Sequence, residues 1–167
     1  MKNVKKMTQA SLFASLTAIC AWLSIPIPPI SFTMQTFAVF LALGTLGGKW
    51  GSVSIGLYLL LGMVGLPVFS GFRGGAAALL DVTGGFLWGF LAAGLVYWAL
   101  ERFGKIPASV FAMLACYGCG CWWFSVYAGG VGFGAAIMTC VVPSLIPDTI
   151  KIGLAYTMGK RLGKFVK

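Results

Sequence analysis

The chain has 167 residues, 59% of them hydrophobic and 9% charged, with twelve Lys or Arg against three acids and a formal net charge of +9. Soluble domains carry about 25% charged residues, so this composition cannot cover a water-facing surface. Residues 7–48, 50–72, 82–100 and 106–147 contain no Asp, Glu, Lys or Arg, and a spanning helix needs about 20 mostly apolar residues. An all-α polytopic membrane protein is expected, because the short alternating strands of a transmembrane barrel are absent.

In chain order, KNVKK and the apolar run behind it read as an uncleaved first span rather than a signal peptide. That helix is expected over about residues 8–25, stopped by IPIPPI at 25–30, where prolines cannot continue it. Ala10, Ala14 and Ala18 repeat along one of its faces. Small residues let helices approach closely in lipid, either within the chain or toward a partner. A second helix is predicted from near Thr33 to the Gly47-Gly48-Lys49 turn, and a third over roughly 50–66, ending before Pro67. LPVFSGFRGGAAALLDVTGG at 66–85 is glycine-rich and reads as a long loop folded back into the protein.

A fourth helix is predicted from about Thr83 to Phe103, and a fifth from Pro107, a good first helical residue, to Tyr127. AGGVGFG then reads as a loop and AAIMTCVV as a half-helix interrupted at Pro143. The last helix is expected to start near Pro147 and run to about Leu162. No repeat or linker divides the chain, so residues 1–167 form one domain.

The basic residues set the topology. With six spans and both termini inside, ten of the twelve are cytoplasmic: Lys2, Lys5, Lys6, Lys49, Arg102, Lys105, Lys160, Arg161, Lys164 and Lys167. Five or seven spans would scatter them on both faces. Because they sit at span ends and form no patch interleaved with aromatics, the positive balance does not point to nucleic acid. There is no histidine, and Cys20, Cys116, Cys119, Cys121 and Cys140 all fall in apolar segments. CYGCGC at 116–121 reads as small, soft residues packing a helix face, and no metal site is assigned.

Two cations remain: Arg73 in the glycine-rich outer loop and Lys151 in SLIPDTIKIGL at 144–154. A charge near the middle of a membrane helix costs roughly 2.5–3.5 kcal/mol on insertion scales, so Asp148 and Lys151 need a reason to be there. Such residues usually pair, face a cavity and mark a functional path. At i and i+3 they share a helix face. On the expected boundaries Asp148 also sits in the first turn, where the helix dipole favours an anion. The plain alternative is a self-neutralising pair that only lets the helix insert.

Four stretches carry a resemblance: TMQTFAVFLALGTLGGKWG at 33–51, YLLLGMVGLPVF at 58–69, FRGG followed by VTGGFLWGF at 82–90, and PDTIK at 147–151. Their joint order resembles the BioY family, the biotin-binding S components of energy-coupling-factor transporters. The resemblance covers nearly the whole chain. It implies a compact six-helix protein of the prokaryotic cytoplasmic membrane that binds biotin from outside. It also implies three partners: a transmembrane T component and two ATPase subunits, which use the ATP, so that this chain holds no cofactor. Asp148 and Lys151 match the family's acid and base that contact the ureido ring.

The family's third polar contact, an asparagine in some members, falls in SGFRGG, where Ser70 or Arg73 stands. The loop at ISFTMQT is expected to close over the ligand, making Thr33, Gln35 and Thr36 neighbours of the site. Phe37, Tyr58, Phe69, Phe72, Phe86 and Trp88 are candidates for its walls. The resemblance also implies that Ala10, Ala14 and Ala18 form the docking face for the T component.

A ureido group offers two N–H donors and one carbonyl acceptor. An ionised aspartate accepts only and a protonated lysine donates only, so the pair could meet both kinds of group. Catalysis has little support, since there is no histidine, no nucleophile with a neighbouring base and no GxxxxGK[ST] loop for ATP. A membrane enzyme using Asp81 or Asp148, a self-sufficient carrier or channel, and an S component for another vitamin remain as alternatives.

Overall fold

The structure is a computed structural model and describes residues 2–25 and 31–166. Prolines 26, 28 and 29, expected to stop the first helix, and Lys167 lie outside those residues. Helix α1 spans Lys2–Trp22 and leads into a short antiparallel hairpin, β1 (Ser24–Ile25) with β2 (Phe32–Thr33), in which Ser24 faces Thr33. Helices α2 (Gln35–Leu46) and α3 (Gly48–Met63) follow. A folded segment then carries the one-turn helix α4 (Ala76–Leu79) to α5 (Gly84–Leu100) and α6 (Lys105–Tyr127). The last part comprises α7 (Phe133–Ala136), a π-helical turn at Ile137–Val141 and α8 (Val142–Val166).

The helices of the described residues are unequal in length. Gly84–Phe103, Lys105–Tyr127 and Phe133–Lys164 are long and apolar enough to cross a membrane. At about 1.5 Å per residue, the 12 residues of α2 reach only about 18 Å, against a hydrocarbon core about 30 Å thick. The hairpin lies before the first turn of α2, and β2 and that turn both line a cavity. Large apolar side chains such as Leu12, Leu60, Leu114, Trp122, Ile146 and Ile150 are exposed on the outside, as lipid-facing positions would be.

The predicted loop at 66–85 does fold back. Phe69 is buried and packs edge-on against Tyr58, with ring centroids 5.5 Å apart. It can do so because Gly62 on α3 has no side chain; a Cβ there would overlap the Phe69 ring. Gly120 on α6 does the same for Phe86 of α5, and small residues at such contacts are how helices approach closely without a hydrophobic drive in lipid.

One expectation is corrected. The last helix does not begin near Pro147: the chain is helical continuously over Phe133–Lys164, with Pro143 and Pro147 inside it. Pro143 has no N–H to donate, and it lies two residues beyond the end of the π turn, whose register shift redistributes the carbonyls that a strict α-helix would leave unpaired. Asp148 therefore lies near the middle of a long helix. Dipole effects fall off within a turn of the helix end, so the dipole does not hold its charge. The small-residue face of α1 packs within the chain. Ala10, Ala14 and Ala18 are 1%, 1% and 7% exposed, in a face packed against α2 and α3. The chain's own helices occupy the face that was expected to dock a partner.

Candidate functional site

The cavity opens at one end of the bundle, between β2, the first turns of α2 and α5, the 69–78 segment, the middle of α6 and the middle of the last helix. Small-molecule sites are mostly apolar with a few convergent polar groups. Here Phe40, Phe69, Ala78, Phe86, Leu87, Phe90 and Met113 supply the apolar walls.

The polar end is built on one face of the last helix, where Cys140, Ser144, Asp148 and Lys151 succeed one another at helical spacing and all line the cavity. Lys151 Nζ donates to Asp148 Oδ1 at 2.9 Å, with side-chain exposures of 13% and 10%. The same ammonium donates to the Thr33 backbone oxygen at 2.8 Å, tying the last helix to the hairpin. Tyr117 of α6 donates to Asp148 Oδ2 at 2.8 Å. Each carboxylate oxygen thus has a partner. In a poorly solvated site that matters, because an unpaired buried charge is destabilising by roughly 3–5 kcal/mol.

Gln35, 4% exposed, joins the hairpin to α3. Its amide oxygen accepts from the Thr33 hydroxyl at 3.1 Å, and its amide nitrogen donates to Tyr58 Oη at 2.5 Å. Tyr58 in turn donates to the Val68 carbonyl at 3.2 Å. With these bonds made, Gln35 fixes the strand that Lys151 also holds.

At the mouth, Arg73 Nη1 pairs with Asp81 Oδ2 at 2.5 Å, both side chains being largely exposed at 49% and 41%. Asp81 also accepts from the Val82 N–H at 2.7 Å, and its backbone oxygen accepts from Trp123 Nε1 at 2.9 Å. The rim is therefore fastened to the start of α5 and to α6.

Of the residues singled out from the sequence, Asp148, Lys151, Arg73, Ser70, Gln35 and Thr36 all line the cavity, as do Thr33, Phe69 and Phe86. Phe72 and Trp88 are not among the lining residues. Phe72, 64% exposed, has a φ of +58° that turns it outward, where it stacks on Trp22 at 5.1 Å. Trp88 is two residues from Phe86 on α5, about 200° around the helix, and is exposed on its outer side. Phe37 and Tyr58 also lie outside the lining, Tyr58 being fully buried behind Gln35. Tyr117 was missed by the sequence reading. It sits in CYGCGC, 31 residues from Asp148, and no spacing rule links the two.

Among the described residues no group of three or more His, Cys, Asp or Glu could hold a metal ion, and all five cysteines are free.

A mainly helical protein with lipid-facing walls, an apolar cavity and a buried ion pair at its polar end is a membrane protein built to bind a small molecule. Comparison with known proteins gives the family. The BioY family model matches residues 1–167. The chain is 37% identical to the biotin transporter BioY of Thermotoga maritima, covering 96% of this chain and 97% of that one. It is also 37% identical to a probable biotin transporter BioY of Pyrococcus horikoshii, again covering 96% and 97%. A crystal structure of the S component for biotin from an ECF-type ABC transporter superposes with a TM-score of 0.87 at 27% identity, covering 97% of this chain and 92% of that one. This chain belongs to the BioY family.

Proposed function

We propose that this chain binds biotin from outside the cytoplasmic membrane of a prokaryote and is the substrate-specificity subunit for its uptake. The observation that carries the reading is the Asp148–Lys151 pair at the polar end of an apolar cavity. Lys151 has three N–H donors and uses one on Asp148 and one on Thr33, so its third is suited to the ureido carbonyl. Asp148 keeps a free lone pair on each oxygen for a ureido N–H. The fused rings fit the Phe40, Phe86 and Phe90 walls, and the valerate tail runs toward the mouth, where Arg73 offers a cation to its carboxylate.

The chain carries no phosphate-binding loop for ATP, so energy comes from a T component and two ATPase subunits. Lys49, Arg102, Lys105, Lys160, Arg161 and Lys164 lie at the end of the bundle away from the cavity, which supports a cytoplasmic position for that end and for both termini. Calorimetric titration of the detergent-solubilised protein tests the ligand. Saturable biotin binding unaffected by thiamine or riboflavin is expected; binding of either of those vitamins in place of biotin would overturn the assignment. Single cysteines at Lys5 and Lys164 in a cysteine-free background should react only from the cytoplasmic side, and labelling from outside would reject the topology.

A further inference from the structure

We infer that Tyr117 is a specificity-determining residue, which holds the Asp148 carboxylate in place and makes that side of the polar end accept an N–H and nothing else. The inference rests on the biotin reading above and deepens it. A phenol has one proton and two acceptor lone pairs, whereas an ionised carboxylate has lone pairs only. In the 2.8 Å contact between Tyr117 Oη and Asp148 Oδ2, the proton must come from the tyrosine. With it committed, Tyr117 shows only lone pairs to the rest of the cavity that both residues line.

Two consequences follow from the order of atoms. Lys151 Nζ holds Oδ1 at 2.9 Å and Tyr117 holds Oδ2 at 2.8 Å, so the carboxylate is gripped at both ends and cannot rotate freely. Along the row formed by ammonium, carboxylate and phenol, a donor stands at one end and only acceptors beyond it. One edge of a cyclic urea presents a carbonyl beside an N–H, in that same order. A ligand carrying an acceptor where the N–H belongs meets the lone pairs of both Asp148 and Tyr117, and a buried polar group left without a partner loses affinity.

The test compares biotin with its two mono-N-methyl ureido analogues on wild-type protein and on Tyr117→Phe, both in detergent. Wild type should prefer biotin strongly over the analogue methylated at the N–H that faces Asp148. Tyr117→Phe should bind biotin about tenfold more weakly, the equivalent of one net hydrogen bond, and should lose a comparable factor in that discrimination. A merely structural tyrosine would lower all affinities together or lower only the thermal midpoint, leaving the ratio unchanged; that result overturns the proposal. Tyr117→Met, which removes the hydroxyl within a different apolar shape, supplies the same ratio if the phenylalanine variant is not monodisperse. Absence of biotin binding by wild type would count against the ligand assignment, whereas an unchanged ratio in a biotin-binding protein counts against Tyr117 alone.

Discussion

The protein has an ion pair at each end of its cavity, and the two differ in almost everything except charge. Lys151 and Asp148 are about nine-tenths buried, joined at 2.9 Å, and further held by Thr33 and Tyr117. Arg73 and Asp81 are joined at 2.5 Å, yet nearly half exposed. Distance alone would rank the outer pair as the stronger. Solvation reverses the order, because water and salt screen an exposed pair to about 0–1 kcal/mol, whereas the inner charges have little else to interact with. On the proposed function, the inner pair selects the ligand and the outer one chiefly shapes a rim.

The largest effect expected from this contrast is at the inner pair. Asp148→Asn or Lys151→Met strips a charge-assisted hydrogen bond from the ligand and leaves the remaining charge poorly solvated. Hydrogen bonds to charged groups contribute roughly 1.5–3 kcal/mol, so biotin affinity should fall about tenfold to more than a hundredfold. The double variant Asp148→Asn/Lys151→Met separates this role from mere insertion. If the pair existed only to let the helix enter the membrane, the double variant would be well folded and bind like wild type. Calorimetry on the monodisperse double variant is expected to show lost binding, and wild-type affinity would remove the pair from the site.

An intermediate effect is expected one step back from the ligand. Gln35→Leu removes the bonds to Thr33 and Tyr58 and leaves the Tyr58 hydroxyl without one of its buried partners. A lost buried partner is destabilising by about 1–3 kcal/mol, so the thermal midpoint should drop. Biotin affinity should fall by less than in Asp148→Asn, because the strand carrying Thr33 stays attached through Lys151. An effect on affinity equal to that of Asp148→Asn would show that Gln35 touches the ligand directly.

Much of the helical architecture was legible from charge-free runs and breakers, because in lipid the length of an apolar run nearly dictates a helix. Asp148 and Lys151 were legible for the same reason: a charge in such a run is expensive and needs a cause. What could not be read depended on long-range packing. Pro147 reads locally as a helix start, but the helix already runs from Phe133 and carries Pro147 in its interior. Ala10, Ala14 and Ala18 form a small-residue face whose partner no sequence rule names, and the structure fills it with α2 and α3. Tyr117 finds Asp148 only because α6 and the last helix border the same cavity. Phe72 and Trp88 were chosen by residue type, and type does not reveal which way a ring faces.

The smallest effect is expected at the rim, and it sharpens the comparison most. Arg73→Gln removes a cation that lines the mouth, while Asp81→Asn removes its partner but keeps the cation. If Arg73 meets the ligand's carboxylate there, Arg73→Gln should weaken biotin only a fewfold, as an exposed interaction of about 0–1 kcal/mol allows. Asp81→Asn should leave affinity unchanged or slightly raised, since the guanidinium is then released from its competitor. The Arg73→Gln effect should also fade with salt, because the screening length shortens from about 10 Å at 0.1 M to about 3 Å at 1 M. The Asp148→Asn effect should persist, being shielded from the solution. Titrations at the two salt concentrations decide the matter. A salt-insensitive loss in Arg73→Gln as large as that in Asp148→Asn would mean that the rim closes over bound biotin and buries Arg73, so that solvation would no longer distinguish the two pairs.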